Sequence, residues 1–532
     1  MNFNIDIHCH PSTKPYMSNL SKKKDPFIHF NHHIESSIMK LIKGLLEKNS
    51  EVLMASQSNF DNLFLGGHRV VIASITPMEK AFLVANKNRS AIPILMKALI
   101  ESFIVDHNGI PDTIKPKLPN SLMGFSTPCI EFVRDTEANC FKDALTPEYE
   151  YLKKFNNQVS AAHGYTLKFV KNFREIEEGI SSGEKAIYVV LSIEGAHAFQ
   201  NTVPGILDIK AGQGRIFEPG VMNAVQDGPG IAQNIAAIKK NWEFVPLFVT
   251  MMHHFWNGMG GHARSLNKII GEMLNQTEGI NQGLTGTGRM VIRELLSETN
   301  GPRILIDIKH MSIASRREYY QILDTDPLFK NKNIPIICSH TGMASGIDTL
   351  NELAQVNDKA EETNNKNYFH KAQINLCGED IRRIAKSNGL IGLQLDEKRI
   401  AGAGFVETRL RGAINLNDQM NACAEVVMSN VFMVVKAVNS IKGWDLCCIG
   451  SDFDGLINHL DPFPDSGRIS ILRDEVVHYL KNLHDVKEPH TGNMIFSIAE
   501  MQQLMFGLSP EEITEKIFSG NAMNFLRANF NR

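Results

Sequence analysis

Short, almost continuous apolar runs recur along the chain, and a stretch with helical periodicity follows most of them. Strands that are buried on both faces show this pattern, because helices cover both sides of a parallel sheet. Helices are predicted at residues 231–242, 314–323 and 378–387. Eight strands are predicted at residues 3–8, 69–76, 186–194, 244–253, 304–308, 334–339, 390–395 and 446–451.

Eight strands that alternate with helices predict a (β/α)8 barrel, the TIM-barrel fold of the α/β class. A minimal barrel needs about 250 residues, whereas this chain has 532. The surplus is expected in polar or proline-containing insertions near residues 11–60, 104–150, 346–374 and 456–495. We therefore predict one elaborated barrel domain over residues 1–532. Ser509 and Pro510 predict the N-cap and first position of a closing helix.

The balance of charges and the cysteine usage exclude several classes of protein. Lys plus Arg (55) and Asp plus Glu (58) leave a net charge of -3, which argues against a nucleic-acid partner. No uninterrupted apolar stretch approaches the ~18 residues of a spanning helix, and the N-terminus alternates polar and apolar residues unlike a secretory signal. The eight cysteines contain no CxxC pair. These features predict a cytoplasmic protein without a membrane partner.

Chemistry-bearing side chains stand at the ends of most of the predicted strands. In a barrel, functional residues project from the carboxyl ends of the strands. Six of the eight predicted strands end in histidine, glutamate or aspartate. These residues are His8 and His10, Glu194 and His197, His253 and His254, Asp307 and His310, His340, and Asp452 and Asp454.

Each of these residues taken alone has an ordinary structural explanation. A histidine at a strand end is usually a polar residue with satisfied hydrogen bonds, and Asp-Gly marks a turn. The set as a whole is different, because buried ionisable groups must be paired or bound to a metal. A shared metal centre accounts for all of them. Imidazole and carboxylate ligands suit zinc, with manganese, iron and cobalt as alternatives.

The order of the strand-end motifs adds a resemblance to a known family. The chain resembles the renal or membrane dipeptidases, peptidase family M19 of the amidohydrolase superfamily, over nearly its whole length apart from the insertions. This resemblance implies a barrel of the metal-dependent hydrolase type. The motifs that carry it are Glu194-Gly-Ala-His197, His254-x-x-Asn257, Asp307-Ile-Lys-His310, Ser339-His340 and Gly450-Ser-Asp452-Phe-Asp-Gly455.

The resemblance also implies a site with two divalent metal ions, expected to be zinc. His8 and His10 would hold one ion, and His310 and His340 would hold the other. Glu194 would bridge both ions.

Three further residues receive roles in the reaction from the same resemblance. Asp452 would lie beside the metal-activated water as proton acceptor and later proton donor. His254 would polarise the scissile carbonyl or stabilise its oxyanion. Asn257, which completes the His254-x-x-Asn257 motif, would contribute to substrate binding.

Two departures from the family pattern bear on metal and substrate. His8-Cys9-His10 stands where the family has His-x-Asp, so the site loses one negative charge and metal preference is expected to change. The family arginine that anchors the substrate carboxylate is missing from residues 343–351, and Ile374 stands near its place. Arg382 and Arg383 are expected on a helix surface.

Three hypotheses about function follow. The first is a metallo-dipeptidase that cleaves the amide bond of small dipeptides. The second is an amidohydrolase that acts on another small amide, an N-acyl amino acid or a lactone, which the missing arginine favours. The third, a degenerate metal-binding barrel without activity, is disfavoured because the proposed ligands and Asp452 are all present. The expected partner is a small dipeptide-like substrate, and a homodimer is the commonest assembly for such enzymes.

Overall fold

Eight parallel strands close into a barrel in the computed structural model, which describes residues 3–17, 25–29, 55–79, 139–201, 206–207, 216–217, 228–266, 276–364 and 366–531. Each strand pairs with the next, and the last closes on the first through Asp6 and Ile449. The predicted (β/α)8 barrel is confirmed. The strands are β1 (Asn4–Cys9), β2 (His68–Ile75), β3 (Ala186–Glu194), β4 (Phe248–Thr250), β5 (Leu305–Asp307), β6 (Ile337–Thr341), β7 (Leu390–Leu393) and β8 (Cys447–Ile449).

The strands differ from the sequence prediction in number and length. A ninth parallel strand, Thr166–Phe169, pairs with the start of β3, and its short pattern of alternating half-buried and buried residues gave little signal. The predicted strands at 244–253 and 446–451 are shorter, because regular pairing covers only Phe248–Thr250 and Cys447–Ile449. Two short antiparallel pairs lie outside the barrel, Ile206–Leu207 with Ile216–Phe217 and Val486–Lys487 with Met494–Phe496.

Helices follow most of the barrel strands, and the three predicted helices form at Gly228–Asn241, Ile313–Thr325 and Gly378–Lys386. The other α-helices are Thr13–Met17, Phe60–Leu65, Thr146–Lys153, Phe173–Ser181, Gly286–Leu296, Leu350–Leu353, Asp358–Asn364, Glu397–Ile400, Ala403–Phe405, Leu416–Val438, Ile469–Lys481, Ile498–Leu504, Pro510–Glu515 and Asn521–Asn529. Helical turns of other types are Cys140–Leu145, Ala196–Phe199, Val406–Leu410, Ile441–Asp445, Ser466–Arg468 and Lys516–Gly520.

The helix predicted from Ser509 and Pro510 begins where the sequence indicates. Pro510 is its first residue, and the Ser509 side chain accepts a hydrogen bond from the backbone N–H of Glu512. The Glu512 carboxylate accepts the Ser509 backbone N–H in return. This reciprocal capping box satisfies two of the donors that a helix start leaves unpaired.

Among the described residues the longest helix is Leu416–Val438, which is apolar and long enough to cross a membrane by length and composition alone. However, 72% of its most apolar window is buried inside the protein. It carries the buried polar residues Glu425, Ser429 and Asn430 among its apolar ones. These apolar residues therefore belong to the core that packs around the barrel.

The predicted insertions are described in part. Residues 18–24 and 30–54 of the first insertion and 104–138 of the second lie outside the described residues. The third contains the helices Leu350–Leu353 and Asp358–Asn364, and the fourth contains the helix Ile469–Lys481. The assignment of the whole chain to a single domain stays a prediction.

Candidate metal centre

Two buried carboxylates hold the strand ends that carry the candidate ligands. Asp6 accepts backbone N–H groups from His8 and Ser451, both at 3.0 Å, and so joins the ends of β1 and β8. Asp307 accepts N–H groups from Lys309 and Ser339 at 3.0 Å, which joins β5 and β6. The barrel thus fixes the positions of neighbouring strand ends through side chains as well as through its ladder.

Four histidine rings converge on the carboxylate of Glu194 at the end of β3. His8, His310 and His340 place Nε2 at 3.5, 3.6 and 3.6 Å from Glu194 Oε1. His10 places Nε2 at 3.4 Å from Oε2. All five side chains are buried. The structure therefore brings together the five residues that the sequence predicts as metal ligands.

Asp452 lies against three of the same rings. Its Oδ1 is 3.2 Å from His10 Nε2 and 3.7 Å from His8 Nε2, and its Oδ2 is 3.8 Å from His340 Nε2. Asp452 and His310 both adopt positive φ, 61° and 64°. Such values are uncommon for residues other than glycine, and they cluster at functional sites.

The spacing and chemistry of these atoms fit metal ions. Tetrahedral ligands about 2.0–2.2 Å from zinc lie about 3.3–3.6 Å from one another, which is the range of the N–O distances around Glu194. Two groups of atoms are close enough to share an ion, His8, His10, Glu194 and Asp452 in one and Glu194, His310 and His340 in the other. Glu194 belongs to both groups. Within the described residues, His8 Nε2 and Glu194 Oε1 are buried without a hydrogen-bond partner, as ligand atoms would be.

Hydrogen bonds at the far side of two rings orient their Nε2 atoms towards the centre. His10 Nδ1 lies 3.1 Å from Thr76 Oγ1, and His340 Nδ1 lies 2.9 Å from Ser339 Oγ. Metal-binding histidines ordinarily have partners of this kind.

The electrostatics of the cluster favour the protonation states that ligands need at His310, His340 and Glu194, but not at His10. Burial lowers the pKa values of His310 and His340 well below the ordinary value, so both rings are neutral. Burial acts to raise the pKa of Glu194, but His253 and His8 beside it hold that pKa well below its usual range. For His10, burial acts to lower the pKa, but the hydrogen bond with Asp452 and the charges of Glu194 and Asp452 together turn this into a net rise. A metal ion held here would compete with a proton for His10 Nε2.

The adjacent histidines after β4 have different surroundings. His254 Nδ1 lies 2.8 Å from Ser265 Oγ, and its ring centroid is 5.3 Å from that of His310. Burial, followed by the charge of His253, lowers the pKa of His254 well below its ordinary value. His254, which is predicted to bind the substrate, therefore favours the neutral form and lies at the edge of the cluster.

Two further residues lie at the site: His253, which the sequence placed among the strand-end residues without a specific role, and Glu79, which the sequence prediction did not include. His253 Nε2 is 3.5 Å from Glu194 Oε2, and its Nδ1 is 2.7 Å from Glu79 Oε1. Glu79 also accepts the backbone N–H groups of His254 and Phe255, both at 3.1 Å. Although burial acts against both charges, their mutual attraction lowers the pKa of Glu79 to about 2. The negative charges of Glu194 and Glu79 outweigh burial and raise the pKa of His253 to about 9. The position of Glu79, four residues after the end of β2, was the one sequence feature that could have indicated it as a site residue.

Asn257 is buried, but backbone groups engage its side chain. Its Nδ2 donates to Met251 O at 2.8 Å, and its Oδ1 accepts the Met259 N–H at 3.0 Å. These bonds shape the loop after β4. The predicted contact between Asn257 and substrate stays a prediction.

Two more buried residues extend the network from Asp452. Gln394, just after β7, donates from Nε2 to Asp452 Oδ2 at 2.7 Å. Its Oε1 accepts a hydrogen bond from Lys309 Nζ at 3.3 Å. Burial, followed by the charge of Arg399, lowers the pKa of Lys309 to about 8. The Asp307-Ile-Lys-His310 motif was interpreted for His310 alone, so the role of Lys309 was missed.

The two arginines of the helix Gly378–Lys386 lie at the surface, as expected. Arg382 pairs with Asp348 at 2.7 Å, and Arg383 pairs with Asp324 at 2.6 Å. Neither pair includes a residue of the metal cluster.

Comparison with known proteins finds no matching family model. Among solved structures, dipeptidase AC, a metallopeptidase of family M19, aligns over 100% of both chains with 11% identity and a TM-score of 0.45. A metallopeptidase from Rhodobacter sphaeroides, bound to a phosphinate mimic of the dipeptide L-Ala-D-Ala, aligns over 99% of both chains with 11% identity and a TM-score of 0.46. An amidohydrolase from Pseudomonas aeruginosa aligns over 88% of this chain and 92% of its own, with 14% identity and a TM-score of 0.40.

Proposed function

We propose that this protein is a metal-dependent hydrolase that cleaves the amide bond of small dipeptides. The observation that carries the proposal is the convergence of four imidazole Nε2 atoms on one buried carboxylate, Glu194, with the Asp452 carboxylate against three of the same rings. His8 and His10 would hold one divalent ion, His310 and His340 a second, and Glu194 both. Zinc is the ion that this ligand set suits best.

Divalent ions held by these residues would supply Lewis acidity to the amide carbonyl and would lower the pKa of bound water towards about 7. Asp452 supplies the proton transfer. Gln394 donates to its Oδ2 and thereby fixes the carboxylate, which leaves Oδ1 facing His8 and His10. Oδ1 accepts the proton of the attacking water and later delivers it to the leaving amine nitrogen.

Histidines after β4 complete the proposed site on the substrate side. His254 donates a hydrogen bond to the scissile carbonyl oxygen as negative charge develops there. The Glu79 carboxylate holds the loop through its bonds to the His254 and Phe255 N–H groups. Glu79 also orients His253, which lies closer to Glu194 and is the second candidate for the same role.

The second candidate function is hydrolysis of another small amide, an N-acyl amino acid or a lactone. The observation that favours it is the absence of an arginine from residues 343–351, directly after β6. The two candidates share the metal chemistry and differ in what the substrate presents beside the scissile bond.

A hydrolysis screen of the metal-replete protein separates the two candidates. Dipeptides, including some with a D-residue at the C-terminal position, N-acyl amino acids and lactones are offered under one set of conditions. We expect chelator-sensitive hydrolysis of dipeptides. Hydrolysis confined to lactones or N-acyl amino acids would favour the second candidate. No hydrolysis together with no bound metal would favour the degenerate barrel.

We also propose a reducing, cytoplasmic setting. The seven cysteines within the described residues are all free and buried, which is the pattern of proteins that do not rely on disulfides. A homodimer stays a prediction, and sedimentation of the purified protein would test it.

A further inference from the structure

Lys309 is a buried cation without an acidic partner. Its side chain is 1% exposed, and the hydrogen bond of its Nζ goes to the neutral Gln394 Oε1 at 3.3 Å. Within the described ranges, no carboxylate forms an ion pair with it at 4.0 Å or less. The nearby carboxylate of Asp307 is occupied by the hydroxyl groups of Thr250 and Ser339, each at 2.6 Å. A buried ammonium group with one neutral partner is costly, so a further anion is expected there.

Two other basic side chains surround this lysine. Arg399, five residues past the Lys309 partner Gln394, donates to the Ser265 carbonyl at 2.6 Å. In the described part of the chain no acid forms an ion pair with its guanidinium, although burial raises the pKa of the Asp396 carboxyl and the charge of Arg399 acts to lower it. His370, from the insertion at 346–374, is 7% exposed, and its Nδ1 has no hydrogen-bond partner among the described residues.

The Asn375 side chain donates to the backbone carbonyls of both His370 and Arg399, at 2.8 and 2.9 Å, and so holds these two residues together. Burial is the largest cause that lowers the pKa of His370, and the charges of Arg399 and Lys309 both lower it further, as expected for three basic groups near one another. Mutually repelling groups of this kind are stabilised by a bound anion.

This basic cluster, Lys309, His370 and Arg399, adjoins the proposed reaction centre through two bridging residues. Gln394 connects Lys309 to Asp452, because its Oε1 accepts from Lys309 Nζ and its Nε2 donates to Asp452 Oδ2. Ser265 connects Arg399 to His254, since its carbonyl accepts from the guanidinium and its Oγ lies 2.8 Å from His254 Nδ1. An anion bound by the cluster would therefore lie beside both the proposed proton carrier and the proposed carbonyl-binding histidine.

A small buried apolar cluster lies next to the basic cluster. Ala263, Ala372 and Ile374 form a buried cluster separate from the main core. Ala263 donates its N–H to the His310 carbonyl at 2.8 Å, which places this apolar cluster against the metal-binding side of the site. Ala372 and Ile374 follow His370 along the insertion. The insertion thus contributes one basic residue, His370, and two apolar residues, Ala372 and Ile374, to this region.

We propose that Lys309, Arg399 and His370 form an anion subsite that binds the carboxylate next to the scissile amide of the substrate. This inference rests on the proposed function and specifies its substrate class. In a dipeptide the carboxylate carbon is two bonds from the scissile nitrogen, about 1.46 and 1.52 Å long, so the subsite must lie beside the group that protonates that nitrogen. The Gln394 bridge to Asp452 gives it this position. Peptides and N-acyl amino acids with a free carboxylate fit the subsite, whereas lactones and neutral amides do not.

A matched pair of substrates tests the subsite in the metal-replete full chain. L-Ala-L-Ala and its C-terminal amide differ only in the carboxylate. We expect kcat/KM to favour the acid by about 10- to 100-fold, the range for a charge-assisted hydrogen bond. Lys309→Met should reduce that ratio to about 3-fold or less, chiefly through the acid, and Arg399→Met should reduce it partially. Lys398→Met changes an exposed lysine one residue from Arg399 and should leave the ratio unchanged.

A binding measurement separates the subsite from the proposed function. The metal-replete Asp452→Asn protein is titrated calorimetrically with N-acetyl-L-alanine, with N-acetyl-L-alanine amide and with inorganic phosphate. Tighter binding of the acid by at least about 10-fold, lost in the Lys309→Met double variant, supports the subsite even if no peptide is hydrolysed. Equal binding of the acid and the amide overturns the subsite even if dipeptides are hydrolysed. Phosphate binding tighter than N-acetyl-L-alanine overturns the carboxylate assignment.

Discussion

Asp452→Asn is the substitution that most clearly separates proton transfer from metal binding. In the unsubstituted protein Gln394 donates a hydrogen bond to Asp452 Oδ2 at 2.7 Å. Asparagine has the shape of aspartate and can still accept this hydrogen bond through its carbonyl oxygen. Its amide cannot accept a proton from water at the position of Oδ1. The four Nε2 atoms and Glu194, which form the proposed ligand set, are unchanged by this substitution.

The expected loss follows from the role assigned to Oδ1. A positioned general acid–base group contributes about 100- to 10,000-fold to the rate. At about 1.36 kcal/mol per tenfold change, this corresponds to about 2.7–5.4 kcal/mol in the activation free energy. We expect kcat for dipeptide hydrolysis to fall by this factor, while metal content and resistance to urea remain close to those of the unsubstituted protein.

Asp454→Asn is the matched control, two residues along the chain. Asp454 forms an ion pair with Lys14 at 2.7 Å, and it accepts the N–H groups of Gln57 and Ser58 at 3.0 and 2.8 Å. Loss of that buried charge should destabilise the fold by about 3 kcal/mol or more and leave kcat of the folded fraction unchanged. Steady-state kinetics, metal analysis and urea unfolding are measured on both variants. If Asp452→Asn kept kcat within about threefold, the assignment of proton transfer to Asp452 would be wrong.

Three further substitutions test other parts of the account. His310→Ala removes one of the two histidines assigned to the second ion, so metal analysis should show about one ion fewer per chain; unchanged metal content would contradict the assignment. His254→Ala should lower kcat by about 100-fold or more at unchanged metal content, and an unaffected kcat would transfer the carbonyl-binding role to His253. Burial lowers the pKa of His68 from 6.5 to about 4, so its contribution to stability is present above pH 6.5 and is lost as the pH falls towards 4. Between pH 7 and pH 5 the free energy of unfolding should drop by about 2 kcal/mol more than in His68→Gln, and equal drops in urea titrations would refute the depressed pKa.

The barrel could be predicted from the sequence because its strands are buried on both faces. β3 is buried along its whole length and appears in the sequence as an apolar run that ends in Glu194. The same reasoning overestimated the strand at 244–253, since apolar residues continue past Thr250 although the pairing stops there. It missed Thr166–Phe169, where two of the four residues are half-buried.

Four of the candidate ligands, His8, His10, Glu194 and His340, lie within a strand or directly after one, where the fold itself determines direction. His310 lies three residues beyond β5, and its assignment depended on the family resemblance.

His253 and His254 lie three and four residues beyond the end of β4, so the period of two no longer indicates which ring faces Glu194. Glu79 and Lys309 gain their significance from contacts with distant parts of the chain, His253 in one case and Gln394 in the other. No local pattern reports such contacts.

The decisive measurement for the proposed metal centre is the dependence of hydrolysis on bound metal. The purified full chain is analysed for bound metal, then treated with a chelator, assayed on a dipeptide, and assayed again after Zn²⁺ is restored. The account predicts about two divalent ions per chain, loss of hydrolysis on their removal, and recovery on their return. The proposed metal centre would be contradicted if the protein bound no ion when supplied with Zn²⁺. It would also be contradicted if hydrolysis persisted unchanged after chelation.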